Sequence, residues 1–568
     1  MPSSRRAGYS PYEQATIDKT LRALDIRLDP GAEGKIIESV EVVRLEVIEQ
    51  RDPAPELLNM FHATSRDFVI RREALMKPGD RYLRVLADET ARNLRQLQQL
   101  SLVVVLAATG KDPDRVRMVI ITKDVWSLRL SWDLALTSGG LENFLLAPQE
   151  TNLFGLHHVL RTQFTLQPES YTLGAGYRVP RFGLSWVGAS AEAGIVMNRQ
   201  RSEPEGYSWR AAVARPLYST RTEWAWGAQA AASQSVARRY SNARLYIDPQ
   251  TKIPFEYKTH SGSASASATR SFGWAYKNDL SAGYGVSTLV NRMFDLPGVD
   301  PAAVADFQRR NLPIGETRSG PFVQWRSYTT NFMGVTDFQT LGLQEDYRLG
   351  HDIYVQVYPN PRALGATRDL LGAYVGMQYT WALLDGLVRA SAESKTELQL
   401  GGGSAAGTLT DASLEGNLNV VTPRLGIGRL VFNTAVLSRY ENYLNRQSFL
   451  GGSGRLRGYP SNAFAGKDFV VANLEFRSRP VEILSCQVGV TLFYDMGDAV
   501  SGFDKLRAKQ SLGGGLRVLL PQLNRAVFRG DVGFPIDRGP FAGQGKQVDP
   551  VNIYVAFEQA FGFGGIGP

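Results

Sequence analysis

The sequence predicts an all-β transmembrane barrel of about 16 antiparallel strands, preceded by a small α/β domain. Three observations predict it. From residue 125 onward apolar and polar side chains alternate, and the helical period disappears. No run of about 18 apolar residues occurs, so helical membrane spans are excluded. Residues 34–124 carry a mixed helix and strand pattern, and 568 residues are more than one ordinary soluble domain holds.

Composition agrees with that class. Charged residues are 21% and hydrophobic ones 43%, which excludes disorder. Mean hydropathy is −0.20, and a barrel strand needs only alternate apolar residues, so a value near that of soluble proteins is compatible with a membrane. The single cysteine, Cys486, rules out an intramolecular disulfide. The net charge of +8 suits anionic lipid head groups. It is spread along the chain, so no nucleic-acid partner is expected. The start, MPSSRRAGYS, lacks an apolar h-region. An exported chain needs a signal peptide, expected here to have been removed or to lie upstream.

Residues 1–33 form an N-terminal segment. Ile17, Leu21 and Leu24 sit at helical spacing, which predicts a short amphipathic helix over Tyr12–Ile26, broken by Asp29-Pro30-Gly31. Residues 34–124 form the second unit. Val43, Leu45 and Val47 alternate with charges, a half-buried strand. Thr64 or Ser65 is positioned to cap a helix running to about Met76. Leu83, Leu86, Leu94 and Leu97 share one face of a second helix. Ser101–Ala107 and Arg115–Lys123 read as strands, giving the order β-α-α-β-β.

Residues 125–563 form the barrel. Trp126, Leu128, Leu130, Trp132, Leu134 and Leu136 occupy alternate positions, with Ser127, Arg129, Ser131 and Asp133 between them. The pattern recurs in Val470–Arg477, Val488–Gly497, Arg525–Phe534 and Val551–Phe561. A lipid-facing Arg or Lys costs roughly 2–4 kcal/mol at the bilayer midplane, so a membrane enforces such alternation. Aromatics are frequent near strand ends, as in interfacial girdles. The strand number above follows from allowing about 27 residues per strand with its connection.

The sharpest motif is Phe449-Leu-Gly-Gly-Ser-Gly-Arg-Leu-Arg-Gly-Tyr459. With Glu475 on the following strand and Phe493-Tyr-Asp-Met-Gly497 on the next, it resembles the BamA/TamA superfamily of outer-membrane assembly and secretion barrels. The resemblance implies that Leu456-Arg457-Gly458-Tyr459 is the tetrapeptide of an extracellular loop folded into the barrel, and that Glu475, Asp495 and Gly497 belong to its wall. The residues support this independently. By alternation Glu475 and Asp495 point away from the lipid on consecutive strands. Two carboxylates so placed repel unless a cation lies between them. Arg457 offers a planar fork suited to that place, and Gly458 lets the loop turn tightly or approach the wall.

Two further segments carry the resemblance. Ser65–Tyr82 and Ala91–Leu97 are similar to the helices of a POTRA domain, the periplasmic module of that superfamily. Val551–Phe561 is similar to its C-terminal β-signal, with Tyr554, Phe557 and Phe561 as the aromatic positions. The resemblance implies an outer-membrane barrel with its POTRA domain in the periplasm. It implies assembly, insertion or translocation of polypeptide without nucleotide, by β-strand addition. Unfolded outer-membrane or secreted polypeptides would be the substrates, with outer-membrane lipids and periplasmic lipoproteins as further partners. A two-partner-type secretion transporter is the alternative, and a passive porin a weaker one.

No enzyme is expected. His62, His157, His158, His260 and His351 lack metal-ligand spacing, and His157-His158 is expected on a strand with its rings on opposite faces. No G-x-S-x-G elbow or Walker A motif occurs. Neither catalytic residues, cofactor nor metal is assigned.

Overall fold

The computed structural model describes residues 9, 11–49, 55–137, 139–241, 243–401, 406–523, 527–540, 547–556 and 566. The N-terminal unit contains α1 (Pro11–Ala23), β1 (Ile36–Leu45), α2 (Asp67–Arg71), α3 (Arg84–Arg95), β2 (Leu100–Thr109) and β3 (Arg115–Asp124). Its sheet has the order β1-β3-β2, with β1 parallel and β2 antiparallel to β3. Both faces of the sheet are buried, which is why β2 and β3 read as near-continuous apolar runs. On one face Val103, Val105, Met118 and Ile120 pack against Ile70, Leu86 and Leu94 from the helical side. On the other, Leu102, Val104, Val119 and Ile121 meet Tyr12 and Ile17 of α1. The N-terminal helix therefore lies on the sheet of this unit.

The helix expected between Ser65 and Met76 is only the five residues of α2, with Arg66 at its N-cap and no side-chain cap. A tertiary partner takes the expected capping residue. The Ser65 amide donates to Asp124 Oδ2 at 2.6 Å and its hydroxyl meets His157 Nε2 at 2.7 Å.

The barrel follows at once. Its strands are β4 (Leu128–Thr137), β5 (Gly140–Leu153), β6 (His158–Leu166), β7 (Ser170–Val179), β8 (Gly188–Asn198), β9 (Pro204–Arg215) and β10 (Trp224–Arg238). They continue with β11 (Glu256–Phe272), β12 (Tyr276–Arg292), β13 (Glu316–Thr329), β14 (Gly350–Asn360), β15 (Leu370–Leu383), β16 (Gly386–Gln399) and β17 (Leu409–Val421). The last are β18 (Gly428–Asn442), β19 (Asp468–Ser478), β20 (Cys486–Val500), β21 (Lys509–Leu519), β22 (Phe528–Pro535) and β23 (Asn552–Ala556). Each pairs antiparallel with the next, and β23 returns to β4, closing the barrel.

Twenty strands form the wall among the described residues, more than expected. The strands recur about every 21 residues, because many connections are tight, such as 167–169, 273–275 and 384–385. Allowing longer connections underestimated the number.

The alternation sorts as a membrane barrel requires. Leu128 and Leu130 on β4, Leu474 on β19, Val490 and Leu492 on β20, Leu512 and Leu516 on β21 and Ile553 on β23 are all exposed on the outer face. In water such a surface would be unfavourable, whereas in lipid it is the solvated face. Trp224, Trp226, Trp274, Tyr276 and Trp381 stand exposed at the end nearest the N-terminal unit, as an interfacial girdle does. That unit is seated on the same end. Glu73 pairs with Arg181 at 2.8 Å, Glu89 accepts from the Thr220 amide at 2.6 Å, and Gln99 donates to Thr151 O at 2.6 Å.

Candidate functional site

The connection between β18 and β19 leaves the far end of the barrel and turns back into the lumen. Gly451 and Gly452 have φ of +115° and +89°, the left-handed region that reverses the chain. The Gly452 amide closes the loop onto Tyr459 O at 2.9 Å. Leu456, Arg457 and Tyr459 are fully buried.

Arg457 carries the site. Its Nε and Nη2 donate to the two oxygens of Asp495 at 2.8 and 3.0 Å, a bidentate fork. Nη1 donates to Glu475 Oε2 at 2.7 Å and to Asp531 Oδ2 at 3.3 Å. Its own amide also donates to Asp495, at 3.1 Å. The guanidinium plane lies 3.6 Å from the centre of the Phe493 ring, where the ring quadrupole adds to the attraction. Strand register explains the convergence. Asn473 faces Asp495 and Glu475 faces Phe493 across β19 and β20, so all four point inward from neighbouring rungs.

The wall is shaped to receive the loop. Gly458 has φ +95°, and a Cβ there would lie 2.8 Å from Ser511 Cβ. A Cβ on Gly533 would lie 2.6 Å from the Gly458 amide nitrogen. A Cβ on Gly513 would overlap the Phe493 ring on which Arg457 stacks. The backbone of the tip is held as firmly as its side chain. The Gly458 amide donates to the Tyr554 hydroxyl at 3.2 Å, and Asn552 Nδ2 donates to Gly458 O at 2.8 Å. Ser511 Oγ donates to Arg457 O, and the Tyr459 hydroxyl donates to Gln510 O at 2.8 Å.

Arg457, Glu475 and Asp495 were expected to meet, and they do. Leu456, Gly458 and Tyr459 lie in the same buried tip. Gly497 stands opposite Val471, and a Cβ on it would press on Val470 O at 2.6 Å, so its place is a close approach of two wall strands. Of the C-terminal positions, Tyr554 reaches the site by its hydroxyl. Phe557 and Phe561 lie outside the described residues.

Sequence reasoning missed four of the seven charged side chains described in this cluster. Asp531 is a third carboxylate, and Arg477, Arg517 and Arg529 surround the group, all buried. Arg477 Nε donates to Glu475 Oε1 at 2.7 Å, and Arg517 Nη1 to Asp531 Oδ1 at 2.6 Å. Arg529 Nη1 donates to Ser453 O of the loop at 2.9 Å. Three carboxylates thus meet four guanidinium groups. The available signal was phase alone, since Arg529 and Asp531 alternate with Phe528, Val532 and Phe534.

The histidine pair departs from expectation. His157 is not in a strand but in a turn, with φ +61°, while His158 begins β6 and bonds the Tyr177 hydroxyl at 2.8 Å. Ser65 and His157 are spaced like a nucleophile and its base, but both are fully buried. No substrate atom can reach them, and they join the N-terminal unit to the barrel instead.

Known proteins resemble this chain in overall architecture. Among solved structures, BamA from Haemophilus ducreyi lacking POTRA domains 1–3 matches at 12% identity and TM-score 0.36, covering 91% of this chain and 84% of that one. CdiB from Acinetobacter baumannii matches at 12% identity and TM-score 0.43, covering 92% and 73%. CdiB from Escherichia coli matches at 10% identity and TM-score 0.46, covering 96% and 84%. No family model and no curated protein sequence matches.

Proposed function

We propose that this chain is an outer-membrane factor that assembles, inserts or translocates unfolded polypeptide without nucleotide, by β-strand addition. The observation that carries the reading is the lock. The barrel holds its own loop inside its lumen through Arg457, with a buried network that a passive pore has no use for. A porin of comparable size keeps a water-filled channel.

The closing seam supports the same reading. Leu134, Ala135 and Leu136 of β4 face Val555, Tyr554 and Ile553 of β23. The seam joins the first and last strands of the wall, and an edge opened there would accept another strand through backbone hydrogen bonds. The N-terminal unit, read as a POTRA domain in the periplasm, has β1 and β2 as outer strands of its sheet. The partners in this proposal are unfolded outer-membrane polypeptides, membrane lipids and periplasmic lipoproteins. No catalytic chemistry is assigned. Depletion followed by a survey of outer-membrane proteins tests it. Unchanged levels of every barrel protein would overturn the insertion reading.

One observation favours a second reading, secretion through the lumen. A cavity of about 520 Å³ lies along β6 to β12, bordered by Arg161, Glu192 and Arg210. None of its lining residues belongs to the loop between β18 and β19. An arrested substrate that cross-links at Arg210, and not at Leu134 or Val555, would favour this alternative.

A further inference from the structure

The connection between β13 and β14 is not a simple turn. Two short strands, Phe332–Thr336 and Gln344–Arg348, pair antiparallel and form a hairpin of their own. Its tip is internally braced. Glu345 Oε1 accepts from the amides of Phe338, Gln339 and Thr340, each at 3.0 Å, and from the Thr340 hydroxyl at 2.9 Å. Asp337 Oδ1 accepts from the Gly342 amide at 2.7 Å. One carboxylate satisfying four donors makes the tip a rigid body rather than a loose loop.

The hairpin reaches far from its root. Met333, Val335 and Phe338 pack on Leu387, Val421 and Val431, at the domain-facing ends of β16, β17 and β18. Leu341 and Leu343 pack on Leu519 at the end of β21 and on Val527 just before β22. Gly342 lies against Gln487 of β20, where an added Cβ would be 2.9 Å from Cδ. Rooted between β13 and β14 and seated as far as β21, the hairpin spans the mouth of one half of the barrel. The helices and loops of the N-terminal unit lie beneath the other half, through Arg181 and Thr220.

Both ends of the hairpin are tied. On the domain side, Arg95 of α3 pairs with Asp346 at 2.6 Å, and Arg92 stacks over Phe332 at 4.3 Å. Glu13 of α1 accepts from the Gln344 amide at 3.3 Å. On the lumen side, Arg477 donates to Phe338 O while its Nε holds Glu475, the partner of Arg457. A contiguous set of charge-assisted bonds therefore runs from α3, through the hairpin, to the loop lock.

We infer that residues 332–348 are a plug that closes their half of the domain-facing mouth of the barrel, held in place by the N-terminal unit through Arg95 and Asp346. Passage through the lumen requires the plug to leave its seat on Leu387, Val421 and Leu519. This goes beyond the proposed function and does not depend on it, since an ion current tests it without any polypeptide substrate.

Planar-bilayer recording of the purified full chain is the test. Replacing residues 337–343 by a short Gly-Ser linker removes the seated tip. The expected result is a rise in open-channel current of about tenfold, as a lumen of this width loses its floor. Wild-type current in that variant, with the barrel folded by heat-modifiable mobility, would overturn the plug. If that variant fails to fold, Arg95→Ala with Asp346→Ala gives the same reading while leaving the tip intact. More frequent openings are expected, and unchanged gating would overturn the role given to the N-terminal unit. A third chain, Leu343→Cys with Leu519→Cys and Cys486→Ser, should stay closed when oxidised and regain wild-type gating with reductant. Large openings in the oxidised form would also refute the inference.

Discussion

Asp531 accepts from Arg517 at 2.6 Å and from Arg457 at 3.3 Å, so one carboxylate on β22 ties the wall to the loop it encloses. It is the nearest carboxylate to Arg517, with Glu475 farther off at 3.7 Å. Asp531→Asn keeps the shape and removes the charge, leaving four buried guanidinium groups against two carboxylates. A loss of about 3 kcal/mol is expected, at the low end for a broken buried pair because a lumen is wetter than a core. The temperature at which the barrel loses its compact electrophoretic mobility should fall. An unchanged midpoint would show that Asp531 is a bystander.

Arg457 binds through a fork and a stacked plane, and lysine offers neither. Arg457→Ala should leave a folded barrel with a released loop and failed substrate assembly. Arg457→Lys keeps the charge and should recover only part of the activity. Protease cleavage within 450–460 of intact cells reports the loop directly. Normal assembly with a cleaved loop would sink the role assigned to the lock.

Gly458 and Gly454 lie in one loop but in different surroundings. Gly458 has φ +95° and meets Ser511, whereas a Cβ on Gly454 meets nothing within 4 Å. Gly458→Ala should cost about 1–2 kcal/mol from backbone strain alone, with more from the clash. Gly454→Ala should be silent. Equal protease sensitivity of the two variants would contradict the close approach described for the tip.

The joint between the N-terminal unit and the barrel should respond to acid. Burial pushes the His157 pKa from 6.5 down to about 4, so the folded joint holds it neutral. The unfolded or undocked residue takes a proton more readily. Its contribution is thus complete above pH 6.5 and is lost as the pH falls from 6.5 through 4, by about 3 kcal/mol in all. Hydrogen exchange across 62–66, where Ser65 meets His157, should accelerate over that window relative to the intrinsic exchange rate at each pH. In His157→Gln the acceleration should vanish. A profile that stays flat in the wild-type chain would rule the joint out as the acid-sensitive element.

Much of the lock is legible in the sequence, because phase is a local property. Arg457 stands in a recognisable motif, and alternation places Glu475 and Asp495 inward on consecutive strands. Asp531 obeys the same phase but sits in no motif, and only the register of β20, β21 and β22 brings it to Arg457. The plug is illegible for a different reason. Residues 330–349 are too short and too mixed in pattern to announce a separate element, and their apolar side chains find partners on strands far away in sequence.

The sequence alone determined that the wall is β, that one face meets lipid, and that a glycine-hinged arginine belongs inside. These follow from side-chain period and steric freedom, which act over a few residues. The tertiary structure decided how many strands close the barrel, which charges share the lumen and what lies across its mouth. Ring closure and register couple residues tens to hundreds of positions apart, and no local pattern encodes that distance.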